Sequence, residues 1–129
     1  MTKHVLLIDD DRGEQEDLLE AFKIAGIECE CSWVPGPEKA YSLLDQVQPD
    51  VIFLDLNMPK TNGLTCLYEL KKTSKHRHIP VILYSTAITD ETRRKAMKEG
   101  ALGCVRKGVP VVELAGEISY LLFKVRTTT

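Results

Sequence analysis

The sequence predicts an α/β domain: a doubly wound, parallel five-stranded sheet, (βα)5, with helices on both faces. Three observations lead there. Residues 5–8, 51–54 and 81–84 (Val-Leu-Leu-Ile, Val-Ile-Phe-Leu and Val-Ile-Leu-Tyr) are continuous apolar runs of strand length, the pattern of strands buried on both sides. Between them lie stretches with apolar residues at helical spacing, as crossovers between parallel strands require. A further run, 27–34, alternates Ile27, Cys29, Cys31 and Trp33 with Glu28, Glu30 and Ser32, which marks a half-polar strand at a sheet edge.

The elements follow in order. The first strand, 5–8, ends in Asp9-Asp10-Asp11. Asp11 with Glu14 three residues on reads as a capping box, opening a helix whose stripe is Leu18, Leu19, Phe22 and Ala25 and which Gly26 ends. After the edge strand, Pro35-Gly36-Pro37 forces a turn and places Pro37 first in a helix carrying Ala40, Leu43, Leu44 and Val47. Pro49-Asp50 separates that helix from the strand 51–54, which surfaces at Asp55. Pro59 and Gly63 turn the chain away as a loop, leaving residues 55–58 as its exposed start.

Leu64, Leu67 and Leu70 give a third helix that fades into Lys71, Lys72, Lys75, His76, Arg77 and His78, read as a solvated basic loop. Pro80 introduces the strand 81–84, followed by Ser85-Thr86-Ala87. Thr89 caps a fourth helix whose thin stripe, Ala96, Met97 and Ala101, anchors it weakly. Residues 103–107 form a short fifth strand. Val109-Pro110 then starts the last helix, with Val111, Leu114, Ala115, Ile118, Leu121, Leu122 and Val125 as the clearest stripe in the chain. The strand order 2-1-3-4-5, assigned by precedent with flavodoxin-like folds, puts the half-polar strand at an edge and the topological switch between strands 1 and 3.

A chain of 129 residues, 43% of them hydrophobic, supports one domain with its own core, 1–129, and we expect no output domain beyond the last helix and residues 126–129. A net charge of −2 argues against direct DNA binding, which needs a clustered cationic surface. The first seven residues, with one lysine and a short apolar run, suit neither a signal peptide nor a membrane helix. Cys29, Cys31, Cys66 and Cys104 form no CxxC pair and read as free, mostly buried thiols of a cytoplasmic protein.

If strands 1 and 3 are neighbours, their carboxyl ends bring Asp9, Asp10 and Asp55 into one pocket. Carboxylates so gathered repel, and the remedies are protonation or a cation. Oxygen donors with no nearby Cys or His suit Mg²⁺ rather than zinc. Because Mg²⁺ binds through one or two carboxylates plus phosphate oxygens, the pocket suits a phosphoryl group arriving at a carboxylate. Ser85 offers a hydroxyl and Lys107 a cation for phosphoryl oxygens. Each residue alone has an ordinary reading, as a helix cap, a turn residue or a solvated lysine. Their joint position at the ends of four sheet strands favours the chemical one.

Ile8-Asp9-Asp10, Leu54-Asp55-Leu56-Asn57-Met58-Pro59 with Gly63, Ser85-Thr86, Gly100-Ala101 and Lys107 resemble the receiver domain of two-component response regulators, in register and across essentially the whole chain. The resemblance implies that Asp55 accepts a phosphoryl group from a histidine kinase or histidine phosphotransfer protein. It implies that Asp9, Asp10, Asp55 and the backbone carbonyl of Asn57 hold Mg²⁺, and that Ser85 and Lys107 bind the phosphoryl oxygens. The implied activity is slow metal-assisted phosphorylation and hydrolysis of the protein itself, controlling contact with a downstream protein that the sequence does not name. The face of helix 4, strand 5 and helix 5 is where the family commonly docks or dimerises. Asn57 and Ala87 occupy positions that tune hydrolysis in the family, and small Ala87 leaves water access open.

Two positions depart from the pattern. Cys104 replaces the usual aromatic switch residue that works with Ser85, and Gly108 follows Lys107 where proline is usual, which predicts a looser loop. These departures favour a phosphorylation-independent receiver-like interaction module; the intact Asp9, Asp10, Asp55, Ser85 and Lys107 oppose it. A phosphatase of the haloacid dehalogenase type would want an Asp at position 57 and room for a cap domain. A flavodoxin-like FMN carrier would have its phosphate repelled by the three aspartates.

Overall fold

In a computed structural model that describes residues 2–128, the three apolar runs lie side by side at the centre of one parallel sheet. The elements are β1 (Lys3–Ile8), α1 (Glu14–Ile24), β2 (Cys29–Val34), α2 (Pro37–Leu44), β3 (Val51–Leu54), β4 (Asn57–Met58), β5 (Thr61–Asn62), α3 (Gly63–Lys72), β6 (Val81–Ser85), α4 (Asp90–Lys98), β7 (Gly103–Arg106) and α5 (Val111–Thr128). The sheet runs β2-β1-β3-β6-β7, which is the expected 2-1-3-4-5 with the small antiparallel β4/β5 hairpin outside the count.

Strand pleating sorts the core into two layers. Leu6, Ile8, Ile52, Leu54, Val81 and Leu83 point to one face and pack with Ala40 and Leu44 of α2, Leu67 and Leu70 of α3 and Ala96 of α4. Val5, Leu7, Val51, Phe53, Ile82 and Tyr84 point to the other, against Leu18 and Phe22 of α1 and Leu114 and Ile118 of α5. Phe22, Phe53 and Tyr84 stack edge to face through this second layer, with centroids 5.9 and 6.1 Å apart. At the opposite end of the sheet from the acids, the His4 N–H donates to Asp50 Oδ2 and the Asp50 N–H to the His4 carbonyl, which fixes the register of β3 beside β1.

Several boundaries differ from the sequence reading. The capping box does not form: Asp11 Oδ1 accepts from the Gly13 N–H, Gly13 is the N-cap without a side-chain bond, and Glu14 turns to another partner. Gly26, at φ 74°, lets the Ile27 N–H return to the Phe22 carbonyl, so Ile27 belongs to the α1 terminus and β2 starts at Cys29. Val47 lies beyond α2. Ala101 is buried through the turn after α4, where its N–H donates to the Ala96 carbonyl, leaving Ala96 as that helix's buried residue. Lys71 is not a solvated member of the basic segment: its ammonium donates to the carbonyls of Arg77 and Ile79, and burial lowers its pKa. The last helix runs through Thr128 instead of ending before residue 126, and Thr129 lies outside the described residues. Cys66 and Cys104 are buried, Cys29 and Cys31 half-buried, and all four thiols are free.

Candidate functional site

The sheet delivers the acids to one end. Ile8 pairs with Leu54, and the next residue of each strand carries a carboxylate: the Asp9 N–H donates to the Val34 carbonyl and the Asp55 N–H to the Ile8 carbonyl. Asp9 and Asp55 are buried, Asp10 is exposed, and carboxylate oxygens of all three lie within 4.8 Å of one another. Lys107 follows β7, and its N–H donates to the Ser85 carbonyl at 3.0 Å, which joins the ends of β6 and β7. The Lys107 Nζ is 2.6 Å from Asp9 Oδ2 and 3.5 Å from Asp55 Oδ1.

Backbone donors complete the frame. Asp9 Oδ1 accepts from the Asp11 N–H at 2.8 Å, and Asp55 Oδ1 lies 3.4 Å from the Asn57 N. Ser85 Oγ accepts from the Ala87 N–H at 3.3 Å. The Trp33 indole N–H donates to the Asp9 carbonyl at 2.7 Å, tying the edge strand to the site. The segment read as a plain loop is the β4/β5 hairpin, with Asn57 opposite Asn62, and Asn62 Oδ1 caps α3 by accepting from the Leu64 N–H. Gly63 fits here for steric reasons, because a Cβ there would stand 2.3 Å from the Asp55 carbonyl oxygen.

Burial, followed by the charge of Asp9, pushes the Asp55 carboxyl up to about 6, with Lys107 pulling the other way. For Lys107 the signs reverse: burial works against the charged form, but the Asp9 and Asp55 carboxylates outweigh it and the pKa rises. Lys107 pairs with two of the three carboxylates, Asp9 and Asp55, and the cluster is an all-oxygen donor set with excess negative charge and no sulfur or imidazole. Such a set fits a hard cation of the Mg²⁺ kind.

Asp9, Asp10, Asp55 and Lys107 are therefore brought together as the sequence predicts, with Ser85 at the adjoining strand end. Cys104 is elsewhere, buried with Ile88 and Ala96 in the layer under α4. Gly108 takes φ 80°, a conformation closed to the proline usual in the resemblance. Sequence reasoning missed Tyr84 and Glu14, whose side chains meet beside Lys107, and Arg106, whose guanidinium donates to the Ile88 carbonyl at 2.9 Å. A tyrosine ending an apolar strand was the available signal, since a buried phenol needs a partner.

Residues 5–119 match the response regulator receiver domain. The chain belongs to that family. Regulatory protein AtoC of Escherichia coli is 31% identical over 110 residues, which cover 85% of this chain and 23% of AtoC. An uncharacterized response regulatory protein of Yersinia pestis is 34% identical over 120 residues, covering 91% of this chain and 47% of that protein. The chain thus spans about half or less of the length of these curated relatives. Among solved structures, the receiver domain of a DNA-binding response regulator from Colwellia psychrerythraea superimposes with a TM-score of 0.79 at 28% identity, covering 93% of this chain and 98% of that one. The receiver domain of a histidine kinase from Syntrophus aciditrophicus gives 0.76 at 26%, covering 95% and 92%. Receiver domains are phosphorylated on an aspartate, bind Mg²⁺ at an acidic pocket and interact with histidine kinases or phosphotransfer proteins. Among the described residues of this receiver domain, no helix is long and apolar enough to cross a membrane.

Proposed function

We propose that Asp55 is the phosphoacceptor of a two-component phosphorelay and that its phosphorylation controls contact with a downstream protein. The observation that carries this reading is Lys107 Nζ reaching both Asp9 and Asp55 within a cluster of three carboxylates. A carboxylate oxygen of Asp55 attacks the phosphorus of phosphohistidine or of a small acyl phosphate. The donor's P–N or P–O bond breaks, and an acyl phosphate forms on Asp55. Asp9, Asp10, Asp55 and the Asn57 backbone carbonyl are the residues that would hold Mg²⁺, which when bound offsets the charge on the transferring oxygens. Lys107 and the Ser85 hydroxyl neutralise and hydrogen-bond the phosphoryl oxygens. Hydrolysis by water at phosphorus returns the free carboxylate and inorganic phosphate, and small Ala87 leaves that approach open.

The donor is a histidine kinase or histidine phosphotransfer protein. The partner is a protein rather than DNA, a reading supported by the net charge of −2. Docking or self-association through α4, β7 and α5 is supported by a groove of about 570 Å³ on that face, bordered by the exposed Met97 and Tyr120. Free thiols support a reducing, cytoplasmic setting. Cys104 and Gly108 favour one second reading, an interaction module that works without phosphorylation. Incubation with acetyl phosphate and Mg²⁺ followed by intact-mass analysis separates the two. One phosphoryl adduct on the native chain, absent from Asp55→Asn, supports the phosphoacceptor; no adduct, or an equal one in Asp55→Asn, promotes the module.

A further inference from the structure

Tyr84 is almost fully buried at the end of β6, edge-on to Phe53 with the rings at 84°, and its hydroxyl donates to Glu14 Oε2 at 3.0 Å. The Lys107 Nζ lies over the same ring, 5.5 Å from its centroid. The ammonium meets the Asp9 carboxylate, the Asp55 carboxylate and the Tyr84 ring, and the charge of the Glu14 carboxylate also favours its protonated form. Glu14 opens α1, close after the Asp9-Asp10 pair, so the phenol–carboxylate bond links the helix that follows the acids to the ring beneath the lysine.

We propose that Tyr84 and Glu14 are positioning residues for phosphotransfer: the Tyr84 ring, fixed by the Glu14 carboxylate, is the platform on which the Lys107 ammonium turns from Asp9 towards a phosphoryl group on Asp55. The inference rests on Asp55 being the phosphoacceptor. Lysine is a point charge on a flexible stem, with three rotatable donors and no preferred direction of approach. Ion pairing to Asp9 holds it before transfer but cannot also place it against the new anion. An aromatic face attracts a cation through its quadrupole without demanding one hydrogen-bond direction, so it can retain the ammonium while its anionic partner changes. The ring must itself be fixed. Phe53 packs against it, and the hydroxyl, which would otherwise be a buried unpaired donor, is anchored by Glu14. An ordinary core position would be served by phenylalanine, with no carboxylate required at position 14.

The test combines a spectroscopic readout with a kinetic one. In ¹³C-resolved NMR spectra of the metal-free protein, the Lys107 ε-methylene protons are expected upfield of exposed lysines, shifted by the ring current of Tyr84. Tyr84→Leu abolishes that shift, Glu14→Ala reduces it, and Glu14→Gln, which keeps an acceptor oxygen, preserves it. With acetyl phosphate and Mg²⁺, Tyr84→Leu slows phosphorylation about tenfold and Glu14→Ala about threefold, the range a desolvated cation–ring contact supports. Calorimetric Mg²⁺ affinity stays within about twofold of native, because neither residue is proposed as a metal ligand. In a Lys107→Ala background both effects vanish, as they must if the pair acts through the lysine. Lys107 ε-methylene protons at the exposed-lysine position in the native protein would overturn the proposal, as would equal slowing by Tyr84→Leu with and without Lys107. Glu14→Ala supplies the answer if Tyr84→Leu does not fold. A native chain that shows the ring-current shift but takes up no phosphoryl group overturns the phosphotransfer role by removing Asp55 as acceptor, with the ring–lysine contact intact.

Discussion

The Lys107 ammonium lies nearer to Asp9, at 2.6 Å, than to Asp55, at 3.5 Å. Asp9 is fully buried, so before any phosphoryl group arrives the lysine serves chiefly as its counter-ion. Removing one member of a buried pair leaves the other charge uncompensated, at about 3–5 kcal/mol. Lys107→Ala should destabilise the metal-free protein by about 3 kcal/mol at neutral pH, and Mg²⁺ should restore part of the loss. Urea unfolding with EDTA and with Mg²⁺ measures both; an unchanged midpoint in EDTA would show that Lys107 does not compensate the acids.

Gly63 makes the second prediction. A methyl group there meets the Asp55 carbonyl oxygen at 2.3 Å and the Leu56 Cα at 2.8 Å, and both obstacles are backbone. The Gly63 N–H also donates to the Leu56 carbonyl at 2.7 Å, so the hairpin cannot swing away without losing that bond. Gly63→Ala should cost about 3 kcal/mol and lower Mg²⁺ affinity. Thermal unfolding and calorimetry check it; a neutral substitution would mean that the loop relaxes freely.

The sheet and the acid cluster were legible because each rests on a one-dimensional pattern. Apolar runs announce buried strands, and an Asp directly after one lies at the strand's carboxyl end; the exposure expected for residues 55–58 does not hold at Asp55 and Leu56, which are buried. The half-polar alternation marks strand 2 as an edge but puts its start two residues early: Ile27 continues the alternation in sequence, and only the left-handed Gly26 shows the chain still finishing α1. Glu14 illustrates the opposite failure. Its spacing from Asp11 satisfies a capping box, yet a tertiary partner 70 residues away, the Tyr84 hydroxyl, takes the carboxylate. The β4/β5 hairpin was invisible because two-residue strands carry no periodicity.

The thiols give a third expectation. Burial pushes Cys31 and Cys66 up to about 11 each, by disfavouring the thiolate. An ordinary cysteine titrates near 8.5, so at pH 8 the ionised fraction falls from about a quarter to about one in a thousand. Both should react with a disulfide reagent about 100-fold more slowly in the native than in the unfolded protein, and the contrast should shrink as pH rises towards 11. Fast native labelling at Cys66 would contradict its burial.

Helix α4 supplies a fourth. Ala96 is its buried residue, and Thr89 Oγ1 accepts from the Thr92 N–H at the N-terminus. Thr89→Ala should cost about 1 kcal/mol and raise amide exchange first in residues 90–98. Exchange rising uniformly across the sheet instead would show that α4 does not open as a local unit.

Borohydride trapping locates the phosphoryl group on the chain and so shows whether Asp55 carries it. Reduction of an acyl phosphate converts the aspartate that bears it to homoserine, which peptide mass spectrometry locates. After acetyl phosphate and Mg²⁺, we expect homoserine at position 55, none at positions 9 or 10, and none when EDTA replaces Mg²⁺. Homoserine at position 9 or 10, or at no position in a chain kept folded with Mg²⁺, would mean that Asp55 is not the phosphoacceptor.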